Sequence, residues 1–150
     1  MKLEQQVTSL ELSKRLKALN VEQDSLFYWI GHENLTRGEI GEDKCTNWYP
    51  MYKGEKYFGN HDYQISAFTV AELGEMLPNE LEFTEEDHTS EWELFSVKLD
   101  SLWRVYYVKR FHNTVLIESD METEVDARAK CLIFLLENGY VDFKNNEVQG

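Results

Sequence analysis

Two prolines, eight glycines and two cysteines are few for 150 residues, and each scarcity excludes a class of protein. Fibrous or linker-rich chains need far more Gly and Pro. Cys45 and Cys131 make no disulfide framework, so reduced thiols in a cytoplasmic setting are expected. The longest nearly apolar run, Cys131 to Leu136, is well short of the roughly 20 residues that cross a bilayer. Met1-Lys2-Leu3-Glu4-Gln5-Gln6 leads into a polar amphipathic segment and does not read as a signal peptide. Basic residues are also short, 15 against 28 acids, for a net charge of −13. Backbones of nucleic acids and anionic lipid surfaces reward clustered Lys and Arg, so neither a direct nucleic-acid contact nor a membrane is expected as partner.

What is present is a core. The chain is 42% hydrophobic and holds four Trp, eight Tyr and eight Phe, too apolar for disorder and long enough for one domain over residues 1–150. Three helices are marked by their ends. Thr8 with Glu11 and Thr69 with Glu72 have the spacing of capping boxes, and Thr123 with Asp126 is a looser version. Asn20, Pro78 and Asn138-Gly139 are the matching stops. Ser25 to Ile30 is aromatic and β-branched on both faces, which predicts a central strand. Glu91 to Leu99 and Leu102 to Phe111 read as a hairpin around Asp100-Ser101, with Asn113 to Glu118 as a third antiparallel strand. The expected fold is α+β: three helices packed on an antiparallel sheet containing a three-stranded meander. Gly31 to Tyr63 and Pro78 to Ser90 are left as irregular stretches, the first long, rich in aromatics and as apt to hide a short strand as not.

That first stretch carries Trp48, Tyr49, Tyr52, Tyr57, Phe58 and Tyr63. Rings with polar handles suit a contact surface, although an irregular segment also uses rings to anchor itself. Arg104, Tyr106 and Arg110 on the second hairpin arm are candidate helpers, set against salt bridging to nearby Glu as the alternative. No Lys or Arg occurs between Lys56 and Lys98, where Glu80 to Glu93 accumulates carboxylates. Such a run can imitate a phosphate backbone or simply be solvated surface. His32-Glu33 and His61-Asp62 are the pairs that would contribute to a metal site, with His32, His61 and Asp62 as ligand candidates, but their spacing fits no established ligand pattern. Cys45 shares its stretch with His32 and His61, the minimum for a thiolate–imidazole pair. No glycine-rich phosphate loop is present, and no cofactor is expected.

Three blocks carry a resemblance: Val7 to Lys17 running into Ser25 to Trp29, Ser66 to Pro78, and Glu124 to Gly139. Together they resemble small uncharacterised proteins encoded by bacteriophages and prophages. The resemblance covers a little under half the chain and brings no catalytic residue, cofactor or activity. It implies a bacterial cytoplasm. It also implies an accessory protein that binds a host macromolecule or captures a small defence-related ligand. A non-catalytic binding protein is therefore the leading expectation. An acidic mimic of DNA and a small metal-assisted hydrolase are the alternatives.

Overall fold

In the computed structural model, which describes residues 1–54 and 62–143, Val70 opens the second of two compact units, Met1–Thr69 and Val70–Gly150. Among the described residues the fold is α+β with three α-helices and two antiparallel sheets. The single sheet expected from the sequence is thereby corrected. The strands of the first unit pair among themselves, because the supposed irregular stretch supplies one of them, Tyr49–Tyr52, and the start of another, Asp62–Ala67.

In the first unit, α1 (Leu10–Ala18) is followed by β1 (Phe27–His32), β2 (Tyr49–Tyr52) and β3 (Asp62–Ala67). The sheet order is β2-β1-β3, both pairings antiparallel. Tyr28, Trp29, Ile30 and Gly31 are buried in succession, as a central strand requires. Pro50 is tolerated because β2 lies at the edge, where no ladder N–H is missed. Val7, Trp29, Ile65 and Ala67 form the core on one face, with Leu3, Leu10, Phe27 and Trp48 packed against it.

Thr8 is not the helix cap that its spacing to Glu11 predicts. The cap position falls to Ser9, and Thr8 is wholly buried. Its hydroxyl accepts from the Phe68 backbone N–H at 3.0 Å and meets the Ser13 hydroxyl at 2.6 Å. Its own N–H donates to the Phe68 carbonyl at 2.8 Å, and its carbonyl accepts from the Trp29 indole at 2.8 Å. One residue thus joins the segment before α1, the start of α1, β1 and the residue that follows β3. Asn20, by contrast, does close α1 in the left-handed conformation, with φ 63°.

The second unit runs α2 (Val70–Met76), β4 (Glu80–Glu85), β5 (His88–Lys98), β6 (Trp103–Lys109), β7 (Val115–Met121) and α3 (Glu124–Glu137). The four strands pair consecutively and antiparallel, β4-β5-β6-β7. A strand not expected from the sequence, Glu80–Glu85, alternates polar and apolar residues and joins this sheet at its edge. Thr123 caps α3, accepting from the Asp126 N–H at 3.2 Å, and Gly139 ends it at φ 72°. α3 packs on α2, β6 and β7. It buries Val125, Leu132, Ile133 and Leu135, and the small Ala127 and Ala129 are fully buried beside them. The Ser119 hydroxyl of β7 donates to the Ala127 carbonyl at 2.9 Å, tying sheet to helix. Among the described residues no helix is long and apolar enough to cross a membrane.

Two outcomes follow. Thr8→Val keeps the shape but strips the Phe68 N–H of its buried acceptor, so urea denaturation should show a loss of about 1–3 kcal/mol. Burial pushes the Cys131 thiol up to about 12, so iodoacetamide at neutral pH should modify it only when the second unit unfolds, as peptide mapping would show.

Candidate functional site

The four-stranded sheet has one face under α3 and one face open. Period two decides which side chain goes where. On β6, Val105 and Tyr107 are fully buried, whereas Arg104, Tyr106 and Val108 point the other way and remain partly exposed. Register then sets their neighbours. Tyr106 stands opposite Phe95 and Glu118, Arg104 opposite Val97 and Asp120, and Val108 opposite Glu93.

Phe95 is 45% exposed, and its ring stacks on that of Tyr106 with centroids 5.6 Å apart and planes inclined by 20°. An arginine cluster stands on either side of this pair. Arg104 makes a two-pronged contact with Asp120, both distances 2.7 Å, and reaches Glu118 at 2.8 Å. Arg110 gathers carboxylates from two strands: Glu93 at 2.7 Å, Glu91 at 2.7 Å and Glu80 at 3.0 Å. The hydrogen bonds that Arg104 donates to Asp120 and Arg110 donates to Glu93 raise both guanidinium pKa values, and Arg104 in turn holds Asp120 below the usual carboxylate range. Planar guanidinium forks suit such paired acceptors better than an ammonium would.

At the β6–β7 turn, Phe111 is 95% exposed and adopts a left-handed backbone, φ 64°. A large ring at positive φ is a genuine outlier, and nothing in the turn buries it. Phe95, Val108, Lys109, Phe111 and His112 are among the residues lining an open hollow of about 400 Å³ beside it.

The chain matches no family model, no curated protein and no solved structure.

The candidate residues taken from the sequence therefore divide. Arg104, Tyr106 and Arg110 meet on the open face just described. Trp48, Tyr49, Tyr52 and Tyr63 belong to the first unit, while Tyr57, Phe58 and His61 lie outside the described residues. Trp48 is committed to packing. Its ring lies flat over Gly31, so closely that a Cβ there would stand 2.7 Å from it. Its indole N–H donates to the Cys45 carbonyl at 3.1 Å, and Lys14 sits 5.1 Å from the ring centroid. Tyr63 is half-buried, and a hydrogen bond to Glu33 raises its phenol. Tyr52 is 47% exposed and leans on Phe27, ring centroids 5.6 Å apart.

Tyr49 is 38% exposed, and its hydroxyl lies 3.0 Å from His32 Nε2. The other ring nitrogen, Nδ1, is bonded to Asp62. Two of the three metal-ligand candidates are thus in contact, but Asp62 occupies an imidazole nitrogen. Among the described residues no group of three or more His, Cys, Asp or Glu could hold a metal ion. Cys45 is a poor nucleophile: burial first, then the Glu33 and Glu42 carboxylates, push its thiol up.

Sequence reasoning missed Phe95 and Phe111. The alternation that exposes Phe95 was readable once the register was known, but no local signal marks Phe111. Arg110→Met leaves Glu80, Glu91 and Glu93 crowded without a cation, so its melting temperature should fall in low salt. The deficit should shrink in high salt, where repulsion is screened, as paired thermal melts would show.

Proposed function

We propose that this is a binding protein that engages a basic protein partner through the open face of its four-stranded sheet. The observation that carries the reading is the stacked, solvent-facing Phe95–Tyr106 pair. Central aromatics surrounded by a polar rim are the arrangement in which a few residues dominate an interface's energy. Phe111, projecting beside them, supplies a ring that a cleft on the partner would take in.

Charge favours a basic partner. On this face Glu80, Glu82, Glu91, Glu93, Glu118 and Asp120 stand with Arg104 and Arg110, and the whole chain carries −13. The surplus would speed the encounter with a positively charged surface and lose that effect in salt. The resemblance to phage-encoded proteins leads us to put the partner in a bacterial cytoplasm, as a host protein. The DNA-mimic reading is less favoured, since Glu80, Glu91 and Glu93 converge on one guanidinium rather than standing in a spaced row.

Immobilised protein should retain a partner from bacterial extract that Phe95→Ala, Tyr106→Ala or Phe111→Ala loses. Affinity should fall about 30-fold or more for the dominant ring. All three side chains are at least partly exposed, so melting temperatures should barely move. Retention that is unchanged in the triple variant would reject the sheet face as the contact surface.

A further inference from the structure

The contact between Tyr49, His32 and Asp62 goes beyond binding. Register brings the three together at one end of the first sheet. His32 pairs with Asp62 across β1 and β3, and Tyr49 pairs with Ile30 across β1 and β2, so Tyr49 and His32 are diagonal neighbours on one face. Diagonal positions are within reach of long aromatic side chains, and the two rings stack with centroids 5.5 Å apart.

The chemistry follows from the proton count. A carboxylate has no proton to give, so the bond between Asp62 and Nδ1 requires the imidazole proton on that nitrogen. In the neutral imidazole Nε2 then presents its lone pair, and the Tyr49 hydroxyl, 3.0 Å away, is placed to donate into it. This is a nucleophile held by a base whose orientation is fixed by a third group. Both the Tyr49 and His32 side chains are open to solvent.

We propose that Tyr49 is a base-assisted nucleophile that accepts an acyl group from a neutral activated ester. Tyr49 Oη would bond to the carbonyl carbon while its proton passes to His32 Nε2. The ester C–O bond would break with its electron pair leaving on the aryloxide, and the imidazolium would return its proton to water. Asp62 is a positioning residue that keeps Nδ1 protonated. A neutral donor fits a chain of net charge −13 better than a phosphate ester does.

Tyr52 is a control within the same strand: it is more exposed than Tyr49 and packs against Phe27 instead of a histidine. The full-length protein would be treated with p-nitrophenyl acetate, with nitrophenolate release followed by absorbance and the acetylated tyrosine located by peptide mapping. Tyr49 should be acetylated ahead of Tyr52, and Tyr49→Phe should remove the fast phase. His32→Gln should slow it about 100-fold, with added imidazole restoring part of the rate. Asp62→Asn should slow it too, and Asp62→Glu should recover it, which a merely structural role would not predict. Tyr49 acetylated no faster than Tyr52 in the unaltered protein would overturn the proposal, and so would His32→Gln reacting at the original rate.

Discussion

Strict alternation along β6 is the constraint on which the second unit depends. Tyr106 and Tyr107 are neighbours in sequence with opposite fates. Tyr107 is sealed beneath α3, its hydroxyl donating to the Pro78 carbonyl, and burial pushes its phenol well above the ordinary range. Tyr106 faces solvent and stacks on Phe95. A one-residue slip of register would exchange the two rows, placing Arg104 against α3 and baring Val105. Burial of one row against the helix therefore also fixes the chemistry of the other.

Charge is organised on the same face. The carboxylates stand on β4, β5 and β7 and the arginines on β6 or just after it, so each guanidinium faces carboxylates from the neighbouring strands. Such exposed pairs add little stability singly. Their effect is on arrangement: long carboxylate side chains that would otherwise splay apart are held to the sides of an aromatic pair. The face thus has apolar rings at its centre and ions around them.

Helix ends were legible wherever a local hydrogen bond decides them. Thr123 and Gly139 act as their residue types predict, and so does Asn20. Thr8 did not, because its hydroxyl is used by Phe68, a residue 60 positions away, and no local pattern reveals that. β4 was hidden for a different reason. Glu80 to Glu85 alternates as a strand should, but the turn into β5 is made by Glu86 in the left-handed region, with neither Gly nor Asn to announce it. In the candidate site, Arg104, Tyr106 and Arg110 were readable from period two alone. The His32–Asp62 contact was not. Sequence adjacency drew attention to His61-Asp62, whereas strand register joins residues 30 positions apart.

The knot at Thr8 has a consequence for how the first unit comes apart. Because residue 8 is bonded to residue 68, the entry and exit of the unit are the same place, and neither end can fray while the other holds. Amide protons at both ends are thereby coupled. They would trade with deuterium through one shared opening event, and the unit behaves as a closed ring of structure that opens all at once.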